Sequence, residues 1–224
     1  GDVRIPHDDS LWPEAWKTIF YKKYPRLEKI PLPKANIHFD LLDVLTKRGS
    51  RREFPNSVDL LKLATLLQHA CGIVGGSAKT AHRVYPSGGA RYPCEIYPIV
   101  LKDAENLDSG VYHYDVEDHA LVRLWKRDFK PEDIAQLCVY PWSKSASIIL
   151  VITAVFARNQ MKYGERGYRY ILLEAGHIGQ NIYLLGTALG LDCCGMGGVR
   201  DKNIENMLDI DGIDESLVHA MLLG

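Results

Sequence analysis

The stretch Ser147–Phe156 contains the unbroken run Ile-Ile-Leu-Val-Ile-Thr-Ala-Val. Such a β-branched run with no polar alternation predicts a central strand covered on both faces. A second long apolar pattern follows over Gly167–Leu189. There Tyr168, Ile171, Leu172, Ala175, Ile178, Gly179, Ile182, Leu185 and Leu189 recur at helical spacing. Much of the remaining helix surface is apolar too, which predicts a helix covered on most sides. Gly176, Gly179 and Gly186 would let another backbone approach it, so a homodimer interface is expected there. Helical spacing also marks Leu60, Leu61, Ala64 and Leu67 in a helix over Ser57–Leu67, with Asn56 or Ser57 as N-cap. Shorter helices are expected at Phe39–Thr46, at Glu132–Val139 behind Pro131, and from a capping Asp201 to Leu208. Strand patterns occupy Glu95–Leu101, Val111–Tyr114, Ala120–Trp125 and Leu217–Leu223, with Asp115–His119 turning a hairpin. Helices mixed with a mostly antiparallel sheet make the expected class α+β. Residues 1–38 have another texture: Trp12, Trp16, Phe20, Tyr21 and Tyr24 lie among prolines with little periodicity. This predicts an arm laid across a folded body at 39–224.

The 224 residues can bury one substantial core. A net charge of −1 supplies no global field for nucleic acid or an anionic membrane, so neither is an expected partner. Any binding of phosphate must be local. Ile171–Leu191 is interrupted by Glu174, His177, Gln180 and Asn181, too polar for a membrane span. The cysteines at 71, 94, 138, 193 and 194 show no metal-ligand spacing and are odd in number. They read as reduced thiols of a cytoplasmic protein, with no metal site expected.

Local chemistry concentrates in three segments. Arg48-Gly-Ser-Arg-Arg-Glu-Phe54 places three guanidiniums and a hydroxyl close together, donors that match phosphate oxygens. The bland alternative is a solvated basic loop. Pro86-Ser87-Gly88-Gly89 and Gly195-Met196-Gly197-Gly198 are backbone-rich loops of the kind that approach a flat cofactor closely. Ser87 has no His/Asp partner suggested by spacing, so a serine hydrolase is not the reading.

With these pieces in order, the chain resembles the nitroreductase-like FMN-dependent oxidoreductases from Phe39 to Gly224. Arg48, Ser50, Arg52 and Phe54 match that family's Arg-x-Ser-x-Arg-x-Phe signature. The resemblance implies that the polar three hold the flavin phosphate and the ring's pyrimidine edge. It gives Pro86, Ser87, Gly88 and Gly89 a place beside the ring. It sets the backbone of Gly195, Met196, Gly197 and Gly198 opposite flavin N5, in a homodimer with the flavin at the subunit interface. The finer resemblance is to the SagB-type branch, which oxidises azolines to azoles on ribosomal peptides. It rests on Pro86-Ser-Gly-Gly-Ala-Arg-Tyr-Pro-Cys-Glu-Ile-Tyr and on Lys162-Tyr163-Gly-Glu-Arg-Gly-Tyr-Arg-Tyr ahead of Leu-Leu-Glu-Ala-Gly-His. This branch implies Lys162 and Tyr163 as catalytic candidates. A lysine acts as a base near neutral pH only if burial or a nearby cation lowers its pKa, and Arg166 and Arg169 are the neighbours in sequence.

Ordinary nitroreductases often carry Asn and Gln where this chain has Ala90 and Tyr92. Many also bring basic residues from beyond the final strand, so Arg48, Ser50 and Arg52 are expected to carry a larger share of the phosphate charge. Two other readings stay open. One is an NAD(P)H-dependent reductase of nitroaromatics or quinones, and the other a flavin-binding module without turnover.

Overall fold

A computed structural model describes residues 5–6, 8–75 and 82–224. In chain order the arm holds α1 (Glu14–Lys17) and β1 (Lys29–Pro31), followed by α2 (Leu41–Lys47) and α3 (Leu60–Cys71). Next come β2 (Ile73–Gly75), β3 (His82–Arg83), β4 (Cys94–Val100), β5 (Gly110–Asp115) and β6 (Ala120–Lys126). Then α4 (Pro131–Leu137), β7 (Ile148–Val155), α5 (Ala157–Tyr163) and α6 (Arg166–Ala188) precede β8 (Cys193–Met196), α7 (Asp201–Leu208) and β9 (Glu215–Leu223).

Seven strands form one sheet in the order β1-β6-β5-β4-β7-β9-β8, and its pairs are antiparallel. The apolar run predicted to be central is β7, between β4 and β9. Its alternation divides two cores. Ile148, Leu150 and Ile152 meet Leu63, Leu66 and Leu67 of α3 and Ile178 and Ile182 of α6. Ile149 and Val151 face the other way, onto Ile134 and Leu137 of α4 and Ile204 and Leu208 of α7. Each fully buried aliphatic side chain contributes about 1.5–3 kcal/mol, so a charge placed at any of these β7 positions would undo a layer.

Three local expectations are corrected. Asp59, not Asn56 or Ser57, caps α3 by accepting from the Lys62 N–H at 2.7 Å. Val58 is buried at the core edge, which holds the chain extended until Asp59. Asp201 is the first residue of α7, and Arg200 at the cap position makes no side-chain capping bond. Two of the three glycines singled out in α6 serve this chain's own packing: Gly186 faces Cys193 Sγ, and Gly179 faces the His219 ring. Gly176, by contrast, meets no heavy atom. It belongs to an exposed strip with Tyr168, Leu172, Leu173, His177 and Gln180.

Residues of the N-terminal segment contact the sheet directly. Lys22 Nζ meets Glu215 at 2.5 Å, and Glu215 also accepts from Tyr97 and Thr153 at 2.9 and 2.6 Å. Tyr24 reaches the Tyr97 hydroxyl at 3.2 Å, and β1 extends the sheet alongside β6.

Candidate active site

Helix α6 organises the candidate residues at its two ends. Near its C-terminal end Tyr183 links two of the three segments. Its hydroxyl pairs with Ser50 Oγ at 2.8 Å and accepts the Gly195 N–H at 2.6 Å. The Arg51 N–H donates to the Cys193 carbonyl at 2.8 Å, so the basic segment runs against the start of β8. Arg48 stacks over the Tyr183 ring at 5.4 Å and Arg52 over Trp142 at 5.8 Å. Among the described residues no carboxylate stands within 4.0 Å of Arg48, Arg51 or Arg52. Guanidiniums oriented by aromatic faces and left without counter-ions suit an anion. A cleft of about 620 Å³ beside them is lined by Ser50, Arg51, Arg52, Glu53, Pro55 and Asp192, so two acids temper its charge. In the glycine turn Gly197 is exposed with open space where a Cβ would stand, whereas Gly198 is packed under Val139 and Tyr140. The Met196 side chain belongs to the core below the sheet, so only its backbone is available to a ligand.

The N-terminal end of α6 gathers the rest. Gly88 packs on Tyr170, and Gly89 lies against the Tyr163 hydroxyl and Lys162 Nζ. Gly89 has φ +63, and a Cβ there would overlap the Tyr163 hydroxyl, so the residue is glycine for both reasons. Ala90 and Tyr92 hold φ of +52 and +46, left-handed values that non-glycine residues adopt at a cost. Ser87 Oγ accepts the Tyr92 N–H at 2.9 Å and so braces this turn. Pro86 completes the exposed rim of a hollow shared with Ser87, Gly88, Tyr170, Glu174 and His177.

Lys162 is 3% exposed, and its pKa is lowered, first by burial and then by the Arg91 guanidinium. The cation that matters is therefore Arg91, whereas Arg166 and Arg169 are exposed. Burial, then Tyr170, raises the Tyr163 phenol, which keeps its proton and can donate it. Glu174 was passed over in the sequence, though one signal was there: a lone carboxyl on the core-facing side of α6 between Ile171 and Ile178. It is 1% exposed, and neither carboxyl oxygen has a well-formed hydrogen bond. Burial pushes its pKa up to about 7, against smaller opposing effects of Ser87, Arg83, the Cys94 N–H and Arg158.

Tyr170 and Tyr183 are thirteen residues apart, so the two clusters lie ~20 Å apart along one helix. All five cysteines are free and buried. Cys193 and Cys194 are core residues. Among the described residues there is no metal-ligating cluster and no helix long and apolar enough to cross a membrane.

Known proteins resemble this chain in sequence and in fold. The chain is 36% identical over 171 residues to MJ1384 of Methanocaldococcus jannaschii, which carries a nitroreductase name, covering 76% of this chain and 84% of that one. It is 30% identical over 229 residues to the trifolitoxin-processing protein TfxB of Rhizobium leguminosarum bv. trifolii, covering 96% of this chain and 61% of TfxB. Among solved structures, the Escherichia coli microcin synthetase McbBCD complex with truncated pro-MccB17 bound contains a chain of the same fold. Its TM-score is 0.67 at 22% identity, covering 99% of this chain and 84% of that one. A nitroreductase-fold structure from Exiguobacterium sibiricum in complex with FMN has a TM-score of 0.56 at 12% identity, covering 85% of this chain and 90% of that one. The Nitroreductase family profile matches residues 45–224, so the chain belongs to the Nitroreductase family of oxidoreductases.

Proposed function

We propose that this chain is an FMN-dependent dehydrogenase of the SagB type, working as a homodimer on an azoline-like ring carried by a peptide or small molecule. The observation that supports it best is the sorting of the family-like segments to the two ends of α6. Arg48–Arg52 and Gly195–Gly198 meet at one end, and Pro86–Gly89 meet Lys162 and Tyr163 at the other. A single ligand touching both clusters is more readily reached from two copies than from one, given the ~20 Å between them. The exposed apolar strip of Tyr168, Leu172 and Leu173 is the surface for that pairing.

The residues fit the cofactor. Arg48 and Arg52 offer guanidinium donors without carboxylate partners for its phosphate, Ser50 adds a hydroxyl shared with Tyr183, and Gly195–Gly198 offer backbone for the ring. When bound, FMN supplies a two-electron acceptor. Oxidising an azoline removes hydride from one ring carbon and a proton from its neighbour, whose bonding pair becomes the new double bond. Lys162 is the group to take that proton, since burial beside Arg91 favours the neutral amine. Tyr163 shares the proton load through its phenol. The peptide-processing name of TfxB and the peptide bound in the McbBCD complex support a peptide-borne ring. Five unpaired buried thiols support a reducing, cytoplasmic setting.

The test is purification followed by stopped-flow reduction with a thiazoline compound or with NADPH. Flavin absorbance bleached by the thiazoline is expected. Lys162→Ala should retain the flavin and slow the oxidation by ~100-fold or more. A colourless protein, or reduction by NADPH alone, would overturn the assignment, and the second result would favour a nitroaromatic or quinone reductase.

A further inference from the structure

Lys162 is buried without an acidic partner, and what covers it comes from far away in sequence. Its Nζ sits 3.5 Å from the centroid of the Trp12 ring. The arm is held there by several bonds. The Trp16 indole N–H donates to the Met161 carbonyl at 3.0 Å, next to Lys162 itself. Arg91 donates to the Ala15 carbonyl at 3.1 Å and also to that of Thr18. The Trp12 indole N–H donates back to Pro6 at 2.8 Å, and Trp12 meets Trp16 edge to face. The groups facing the amine are thus Arg91 from the loop before β4, Tyr163 from α5 and the uncharged indole from the arm. Tyr170 of α6 stands behind Tyr163 at 5.1 Å between rings.

We propose that Trp12 is the positioning residue of Lys162: its indole face holds the amine beside Gly89 and keeps bulk water away, so the N-terminal arm belongs to the reaction site. This rests on Lys162 as the proton acceptor. An indole does two opposite things to a buried amine. Excluding water favours the neutral form, while the ring's negative face favours the ammonium. The two effects separate by substitution. Trp12→Leu keeps much of the cover and loses the ring face, so Lys162 should titrate lower. Trp12→Ala admits water, so Lys162 should titrate higher.

The experiment is residue-resolved acetylation of the 224-residue chain as a function of pH, read by mass spectrometry without substrate. Exposed Lys47 and Lys126 serve as internal controls. The Lys162 midpoint is expected to move about half a pH unit or more, in opposite directions for the two variants, roughly a threefold change in proton affinity each way. Thiazoline oxidation should fall at least severalfold in both variants with flavin content unchanged. An arm that merely packs predicts one Lys162 midpoint for all three proteins, and that result overturns the proposal. The readout is independent of catalysis. Opposite midpoint shifts together with full activity of Lys162→Ala would support the placement of Trp12 while removing the role of Lys162 as base.

Discussion

Replacing Glu174 with glutamine should change how the fold responds to pH, and the size of the change follows from where the carboxyl sits. Glu174 is buried close to Arg83, Ser87, Cys94 and Arg158, without a well-formed hydrogen bond to either oxygen. Lost hydration lifts its pKa from an ordinary 4.5 to about 7. A carboxyl that holds its proton more tightly when folded favours the folded state at low pH. That contribution is full below about 4.5, declines as pH rises, and is gone above about 7. Each tenfold change in proton affinity is worth about 1.4 kcal/mol, so the decline amounts to about 3 kcal/mol. Glutamine has nearly the same shape and no charge to lose. The assay is urea unfolding of both proteins at several values between about pH 5 and pH 8. The wild type should lose stability relative to Glu174→Gln by about 2–3 kcal/mol over that range and be the less stable protein at the alkaline end. Parallel curves would show that Glu174 does not titrate there and would refute this reasoning.

Two other substitutions probe the same helix. Tyr183→Phe removes the hydroxyl shared by Ser50 and the Gly195 N–H, and FMN affinity measured by fluorescence should fall ~10-fold or more, since an orphaned donor costs about 1–3 kcal/mol. Unchanged affinity would detach the basic segment from the glycine turn. Gly186→Ala drives a methyl into Cys193 Sγ and should cost about 1–3 kcal/mol in denaturant unfolding. Adding Cys193→Ala should recover most of that loss, and strictly additive effects would refute the contact.

What could be read from the chain, and what could not, divides along physical lines. β7 and α6 were legible because burial on nearly all sides leaves an unmistakable pattern over many residues. The basic segment and both glycine loops stand out in the sequence because their residue types are few and their spacing short, and the structure brings the basic segment beside Gly195 through Tyr183. Caps were misplaced where tertiary burial overrode local preference, as Val58 does ahead of Asp59. The glycines of α6 signalled close approach correctly, yet the approaching groups at Gly179 and Gly186 are side chains of this chain's own β8 and β9. Long-range partners left no trace in sequence. Arg91 rather than Arg166 stands beside Lys162, and Tyr183 reads as ordinary core until Ser50 and Gly195 arrive from distant segments. Trp12 was visible as part of an aromatic arm, but nothing nearby announced the amine it covers.

The placement of β9 has a consequence for synthesis on the ribosome. β9 slots between β7 and β8, although both are made before it. Until Glu215–Leu223 emerges, one long margin of β7 stands with its amides and carbonyls unclaimed, and Ile149 and Val151 lack the neighbours that finish their layer. An open apolar margin is a template for misassociation, so the nascent protein is most vulnerable during the interval between emergence of these two strands. Chaperone dependence and aggregation during expression should therefore track the speed of that late stretch of translation rather than the stability of the finished fold.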